Sequence, residues 1–226
     1  GACAARNRAI DVARGEFITG MDDDDAFCPE RISTLQRSFR DGSWSCVASC
    51  IVERTPHGDI TRRLDYGVIT LEDMLHYNRL GNQVLTRTRY LRAIGGFDPA
   101  LPALQDYDTW LRLIAAFGNA FKMKEASYIQ FKDYHGERIS ANRLVLIQAF
   151  DLFVVKHRDL LTKRHHASLE ILRRRLAREP LGPIDFIRLV NRGNIKAALP
   201  MLINTTPALS VFKHLLRMRY RTAIDT

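Results

Sequence analysis

EFITGMDDDDAFCPERI, residues 16–32, is the stretch that decides the fold of this chain of 226 residues. Its apolar beginning runs directly into four consecutive aspartates, Asp22 to Asp25, and Pro29 stands where a helix can begin. This order is typical of a strand in an α/β sheet, at whose carboxyl end ligands collect. Four adjacent carboxylates raise one another's pKa unless a cation or solvent relieves them. The stretch therefore indicates either a divalent-cation site or a solvated acidic turn.

Helices and strands alternate on both sides of this stretch. RNRAIDVARG before it predicts a helix that ends at Gly15, and ERISTLQRSFRDG after it predicts a helix that ends at Gly42. WSCVASCIVER and DITRRLDY predict a hairpin that turns at residues 55–58. Further helices are predicted in LEDMLHYN, RYLRAIGG and DYDTWLRLIAAFG, and further strands in NQVLTRT and KEASYIQFKDY. The predicted fold class is therefore α/β, with a mixed sheet flanked by helices.

From residue 141 onward the pattern is helical throughout, which predicts two regions, 1–140 and 141–226. The charge supports this division. Residues 1–149 hold 19 basic and 19 acidic residues, so the whole net charge of +9 lies in the C-terminal third. Three roles stay open for these cationic helices: a solvated or packed face, contact with an anionic membrane surface, or nucleic-acid binding. Nucleic acid is not an expected partner, because no motif for it is present.

The composition disfavours several classes of protein. No apolar run reaches the roughly 20 residues that span a bilayer, and the N-terminus has no signal-peptide pattern. We therefore expect a cytoplasmic protein, with peripheral attachment to the inner face of the cell membrane left open. Four cysteines are too few for a disulfide scaffold. Cys46, Cys50 and His57 have the wrong spacing for a structural zinc site and lack a fourth ligand.

Two other readings of the aspartate run are weaker. An EF-hand would need a loop glycine and a glutamate at the twelfth position, and both are missing. A phosphatase that forms an aspartyl phosphate would place Thr or Val where Ala26 stands.

Two more groups of residues could carry chemistry. In GGFDPALPALQDYDTWLRL, residues 95–113, Asp106 stands at a predicted helix start, where it can cap the helix or accept a proton from an incoming hydroxyl. In DYHGERIS, residues 133–140, His135 follows a predicted strand and could bind a metal or a phosphate. A capping aspartate and an ordinary surface histidine are the alternatives.

Together these segments resemble one family in order and spacing. ARNRAIDVARGEFITGMDDDD resembles the segment of inverting family 2 glycosyltransferases that holds the Asp-x-Asp motif. GNQVLTRTRYLRAIGGFDPALPALQDYDTWLRL is similar to the acceptor-side segment of that family, and YHGERIS to the histidine-containing strand end that follows. The resemblance covers about residues 1–140 and implies a GT-A fold.

The resemblance also implies a site. Asp24 would bind Mn²⁺ or Mg²⁺, Asp22 would lie at the metal and nearer the ribose, and Asp25 would support the nucleotide site. The other carried-over residues are Arg6 and Asn7 beside the nucleotide, Asp106 as catalytic base, and His135 as a metal or diphosphate contact.

The implied reaction moves a sugar from a nucleotide-sugar, first of all a uridine-diphosphate sugar, to a saccharide or lipid-linked saccharide acceptor. Its implied setting is bacterial surface polysaccharide or lipopolysaccharide synthesis. A different class stays open: a non-catalytic basic module that binds a membrane or a partner on a transferase-like scaffold.

The sequence departs from the family pattern in two places. Gln105 stands where a glutamate is usual, which removes a charge beside the expected base. The chain also begins inside what would be the second βαβ unit, so we expect the GT-A fold to be incomplete at its N-terminus, with the first strand of the family lying upstream of Gly1.

Overall fold

The computed structural model describes residues 1–40, 42–63, 65–132 and 142–205. Two compact units divide the chain, Gly1–Lys156 and His157–Thr226. In the described residues the first unit is a mixed sheet with helices, and the second is helical.

The strands are β1 Phe17–Thr19, β2 Asp25–Phe27, β3 Cys46–Thr55, β4 Gly58–Arg62, β5 Gly67–Ile69, β6 Leu85–Arg87 and β7 Ala120–Phe131. The helices of the first unit are α1 Ala2–Val12, α2 Arg31–Arg40, α3 Leu71–His76, α4 Thr88–Ala93, α5 Gln105–Phe117 and α6 Arg143–His157, whose last residue belongs to the second unit. The second unit continues with a 3₁₀ turn at Arg158–Leu160 and with α7 Lys163–Ala177, α8 Pro183–Leu189 and α9 Ile195–Thr205.

One mixed sheet forms the centre of the first unit, with the order β1-β6-β3-β7-β2. Strand β3 pairs in parallel with β7 and antiparallel with β6 and β4, and β5 adds to β7. The first five residues of β3, CVASC, are all buried. Small and β-branched residues without polar alternation are typical of a strand covered on both faces, so this segment lies at the centre of the sheet.

Helix α2 covers one face of that sheet. Leu35 and Phe39, four positions apart, point inward and pack with Val47, Leu85 and Met123. On the same helix Ile32 is 44% exposed. Burial of one side of the helix therefore fixes its position on the sheet.

Helix α5 carries the stripe that the sequence predicts, with Tyr107, Trp110, Leu111 and Ile114 all buried. The polar groups of its two aromatic residues form hydrogen bonds to backbone carbonyls. The Tyr107 hydroxyl donates to the carbonyl of Met74, and the Trp110 indole N–H donates to that of Gly81. The inner side of α5 is thus fixed by both packing and hydrogen bonds.

Helix α6 packs on the first unit through α5. The ring of Phe153 stacks on Tyr107 at 4.4 Å between centroids, and Lys156 Nζ lies 2.8 Å from the buried carboxylate of Asp108. This helix is the first of the region predicted as C-terminal, yet its residues up to Lys156 belong to the first compact unit. The assignment of residues 1–140 and 141–226 to separate functions stays a prediction.

The predicted hairpin at residues 55–58 is confirmed, as are the predicted helices within the described residues. Sequence reasoning missed the short strands β2 and β5. Strand β2 begins with Asp25, a residue that disfavours strands, and pairing with β7 overrides that preference.

The described part of the second unit packs around Ile171, Leu181 and Ala198. No helix among the described residues is both long enough and apolar enough to cross a membrane.

We expect Leu35→Ala to lower the free energy of unfolding by about 2–5 kcal/mol, because the side chain is fully buried and its loss leaves a cavity. Ile32→Ala, on the exposed side of the same helix, should change it by less than about 1 kcal/mol. Chemical denaturation of both variants measures the difference. Equal effects would contradict the assigned orientation of α2.

Candidate active site

The four aspartates form a turn between β1 and β2. The Asp25 amide donates to the Asp22 carbonyl at 3.1 Å, which closes the turn. Asp22, Asp24 and Asp25 are half-buried, whereas Asp23 is exposed. The run is therefore not uniform, and its second member is the one that faces solvent.

Asp22 is held by three side chains. Its carboxylate accepts hydrogen bonds of 2.9 Å from Arg6 Nη2, Asn82 Nδ2 and Gln83 Nε2. Antiparallel pairing of β1 with β6 explains the two amides, because residues that follow β1 lie beside residues that precede β6. Gly20 allows this approach, since a Cβ there would stand 2.3 Å from Gln83 Oε1. The sheet register thus places amide donors around the first aspartate.

Asp25 and Tyr128 meet through the pairing of β2 with β7. The Tyr128 hydroxyl accepts from the Asp22 amide at 3.2 Å and donates to the Asp25 carboxylate. Burial, with smaller contributions from Asp24 and Asp22, raises the pKa of Asp25 above its usual range. Asp25 Oδ1 is buried without a hydrogen-bond partner in the described residues. A buried carboxylate oxygen of this kind is suited to a cation.

Asp106 lies in the first turn of α5. Leu104 precedes it with a φ of 60°, a left-handed conformation that is rare for leucine and is often found near functional sites. The Leu104 carbonyl accepts the first helical bond, from the Asp108 amide at 3.0 Å. This sharp entry directs the Asp106 side chain, which is 24% exposed, toward Arg6.

The pKa of Asp106 is raised to about 7, chiefly by burial of its carboxylate. Arg6 opposes this effect, and the negative charge of Asp22 adds to it. A carboxyl group with a pKa near neutrality can accept a proton and still be ionised at physiological pH.

Arg6 joins the two carboxylates. Its Nη2 lies 2.9 Å from Asp22 Oδ1 and its Nη1 lies 2.9 Å from Asp106 Oδ1. The guanidinium also lies over the Phe97 ring, 5.1 Å from the centroid. Asp22 and Asp106, which are 84 positions apart in the chain, therefore both contact the guanidinium of Arg6.

Asn7 fixes the turn that carries Phe97. Its side chain donates to the Phe97 carbonyl and accepts from the Phe97 amide, both at 2.8 Å. Gly96 has a φ of 68°, and a Cβ there would stand 2.4 Å from Asn7 Oδ1. Asn7 therefore supports the surface on which Arg6 lies.

The segment 94–104 is held by hydrogen bonds and an ion pair from two helices. Arg112 donates to the carbonyls of Ile94 and Gly96 at 2.7 Å each, and Lys156 pairs with Asp98 at 2.6 Å. Gln105, the residue that departs from the family pattern, donates to the Leu101 carbonyl at 3.3 Å. The segment that leads to Asp106 is thus held by side chains from α5 and α6.

The acidic turn is chemically suited to Mg²⁺ or Mn²⁺, which prefer oxygen ligands. Asp24, half-buried in the turn, and the unpartnered oxygen of Asp25 supply carboxylate oxygens. His135, the other predicted metal contact, lies outside the described residues.

The structure brings most of the predicted site residues into one region. Arg6 contacts Asp22 and Asp106 directly, Asn7 is joined through Phe97, and Asp24 and Asp25 share the turn with Asp22. Their roles in binding and catalysis stay predictions.

Sequence reasoning missed the three residues that hold the turn: Asn82, Gln83 and Tyr128. The side-chain amides of Asn82 and Gln83, adjacent in sequence just before β6, are the one local signal of such donors. Nothing near Tyr128 in the sequence indicates a contact with residues 22–25. That contact depends on the pairing of β2 with β7.

Comparison with protein families places this geometry in context. Residues 1–95 match the model of the family described as Glycosyl transferase family 2. That range includes Arg6, Asn7 and the acidic turn and ends before Asp106.

Two relatives support this assignment. WcaA of Escherichia coli K12, described as a colanic acid biosynthesis glycosyl transferase, is 32% identical over 174 residues, which cover 70% of this chain and 58% of WcaA. An uncharacterized glycosyltransferase of Haemophilus influenzae is 28% identical over 120 residues, which cover 50% of this chain and 41% of that protein. The chain thus spans about half the length of these relatives.

Among solved structures, the fold is similar to that of S. aureus TarS 1–349, with a TM-score of 0.58, 16% identity, and coverage of 92% of this chain and 61% of TarS. The structure of TarS 1–349 in complex with UDP-GlcNAc gives a TM-score of 0.56 at 16% identity. The match covers 91% of this chain and 62% of the TarS chain. At this identity the similarity concerns the fold alone. It confirms the predicted fold class, a mixed α/β sheet flanked by helices of the GT-A kind.

We expect Arg6→Gln to raise the pKa of Asp106 above its value of about 7, because Arg6 favours the ionised carboxylate. NMR titration of the side-chain carboxyl carbons measures this pKa, with Asp106→Asn used to assign the resonance. Arg8→Gln, at an exposed position of the same helix, should leave it at about 7. A pKa that does not respond to Arg6→Gln would disprove the electrostatic contact.

Proposed function

The chain carries a glycosyltransferase family 2 domain, and on that premise we propose that it transfers a sugar from a nucleotide-sugar donor to an acceptor hydroxyl with inversion at the anomeric carbon. The observation that carries the proposal is the bridge that Arg6 makes between Asp22 and Asp106, with 2.9 Å on each side. It brings the carboxylate proposed for the donor side, Asp22, close to the carboxylate proposed as general base, Asp106.

Asp106 is the proposed base. Among the described residues its Oδ1 receives the bond from Arg6, and Oδ2 is the oxygen proposed to meet the acceptor hydroxyl. As the hydroxyl oxygen forms its bond to the anomeric carbon, its proton passes to Asp106. The bond from that carbon to the diphosphate oxygen breaks, and the nucleoside diphosphate leaves with the electron pair. A single displacement from the opposite face inverts the configuration.

Asp24 and Asp22 are the proposed holders of a divalent cation, with Asp25 in support. Bound there, Mn²⁺ or Mg²⁺ would neutralise the negative charge that develops on the leaving diphosphate. The chain's own contribution is to hold these carboxylates in a closed turn, with Asn82 and Gln83 fixing Asp22. Rigid ligands reduce the reorganisation that binding would otherwise require.

The proposed donor is a uridine-diphosphate sugar, with a hexose or an N-acetylhexosamine as the transferred group. TarS, which shares the fold, has been solved with UDP-GlcNAc and with UDP. The name of WcaA favours bacterial surface polysaccharide assembly as the setting, with a saccharide or a lipid-linked saccharide as acceptor. The proposed location is the cytoplasm, where the donor would be supplied.

A second candidate function is a non-catalytic module on the same scaffold, favoured by the basic C-terminal third. The two are separated by release of nucleotide from a panel of nucleotide-sugars in the presence of Mn²⁺ and acceptor. Turnover supports the transferase. No release of nucleotide from any donor, by a protein that includes the full length of its relatives, supports the module.

We expect Asp106→Asn to reduce kcat by about 10²- to 10⁴-fold, because the amide cannot accept the proton, while the Kd for the donor changes little. In the wild type, kcat should rise with pH through about 7, since the carboxyl is protonated below that value. Asp11→Asn, an exposed substitution on α1, is the control and should keep the wild-type profile. Near-normal turnover by Asp106→Asn would show that another group is the base.

We expect Asp24→Ala to weaken Mn²⁺ binding by at least about tenfold and to remove metal-dependent turnover, because a ligand oxygen is lost. Asp23→Ser, one position earlier in the same turn, should be nearly silent because Asp23 faces solvent. Isothermal titration with Mn²⁺ reports binding separately from activity. Equal Mn²⁺ affinity in the two variants would refute the proposal that Asp24, and not Asp23, binds the metal.

A further inference from the structure

The net positive charge of the chain comes from one compact unit. Residues 1–156 hold 20 basic and 20 acidic residues, whereas residues 157–226 hold 14 basic and 5 acidic residues. In the described part of the second unit, residues 157–205, the numbers are ten and four. The proposed transferase site therefore lies on a neutral unit, and the charge belongs to a part of the chain that the proposed chemistry does not use.

At least three of the four acidic residues in that part form ion pairs, and one of them is Asp159, whose Oδ1 lies 3.6 Å from Arg158 Nε. Arg174 donates to Glu170 at 2.8 Å and to Asp185 at 2.7 Å. Arg188 and Arg192 are exposed. A cationic excess thus remains at the surface after the ion pairs have formed.

Helix α8 has an apolar outer side in this cationic unit. Its inner residues Phe186 and Leu189 pack on the cluster of Ile171, Leu181 and Ala198. Ile184 and Ile187, three positions apart on the other side, are 83% and 78% exposed. They exceed every other large apolar side chain of the described residues in exposure. Both sides of a short surface helix are therefore apolar, and only one is covered by the unit itself.

Helix α9 repeats the pattern more weakly. Ala198 is buried in the same cluster, while Ile195 and Leu199, four positions apart, are 46% and 45% exposed. Lys196, next to Ile195, is exposed as well. Exposed aliphatic side chains are thus accompanied by cationic side chains on both helices.

We propose that the outer side of α8 docks on an anionic lipid bilayer, with Ile184 and Ile187 entering the boundary between headgroups and acyl chains and Arg188 and Arg192 meeting the headgroups. Helices that lie in a membrane interface combine these two features. Cationic side chains gain from the negative surface potential of the leaflet, and aliphatic ones gain by leaving water.

A bilayer fits this surface better than a protein partner does. A stable protein interface covers roughly 800 Å² on each side, with about 20 residues or more, whereas the outer side of α8 offers two large apolar side chains. A bilayer requires no matching pocket and accepts isolated aliphatic side chains. The proposal does not depend on the transferase activity.

Flotation of the full chain with phosphatidylcholine vesicles, with and without phosphatidylglycerol, tests the proposal. We expect binding only to the vesicles with phosphatidylglycerol, weakened by salt. Ile184→Ser/Ile187→Ser should reduce the partition coefficient by at least about tenfold, because the inserted apolar surface is lost. The matched control is Leu144→Ser/Val155→Ser, two exposed aliphatic residues on a helix of the neutral unit, which should bind as the wild type does.

Insertion is measured separately with Ile187→Trp and vesicles whose acyl chains carry bromine near the headgroup. Fluorescence of this variant should be quenched more strongly than that of the wild type, whose Trp44 and Trp110 both belong to the neutral unit. Circular dichroism and thermal melting confirm that each variant is folded, as expected for substitutions at exposed positions.

Three results would overturn the proposal. The first is that the wild type does not bind anionic vesicles. The second is that the Ile184/Ile187 double variant binds them as strongly as the wild type does, because this would assign the contact to charge alone. The third is self-association of the wild type in light scattering that the double variant abolishes while vesicle binding is absent. That result would assign the outer side of α8 to a second copy of the chain.

Discussion

The ion pairs of Arg6 are the interaction on which the proposed site depends. Asp22 and Asp106 repel each other, and the burial that raises the pKa of Asp106 makes its charge costly. One guanidinium with two donor nitrogens accommodates both carboxylates at 2.9 Å. A partly exposed ion pair adds little to stability, so the importance of this one lies in the geometry that it fixes.

Much of the surrounding structure keeps that guanidinium in place. Asn7 clamps the backbone of Phe97, whose ring lies against Arg6, and Arg112 holds the preceding turn through two carbonyls. Asn82 and Gln83 hold Asp22 from the other side. Apart from Arg112, whose charge is paired with Asp108 at 2.7 Å, these contacts use backbone and amide groups without formal charge. They position the carboxylates without adding an unpaired charge to the site.

Charge divides the chain between its two compact units. The unit with the proposed site is neutral overall, so local arrangement rather than total charge decides the properties of its carboxylates. In the second unit, the proposed docking on a membrane depends on the net positive charge and on the exposed side chains of Ile184 and Ile187, and not on any single ion pair. The same residue type thus serves different purposes: Arg6 is fixed between two carboxylates, whereas Arg188 is exposed to its surroundings.

The sequence by itself determined the fold class, the strand that leads into the aspartate run and the helix that begins near Asp106, because hydrophobic period, Gly and Pro are local signals. Motif order along the chain also indicated the family. Tertiary structure alone decided that Arg6 joins Asp22 to Asp106 and that Tyr128 holds the acidic turn. Sheet register and helix packing create those contacts between residues up to 106 positions apart, and no local pattern encodes them.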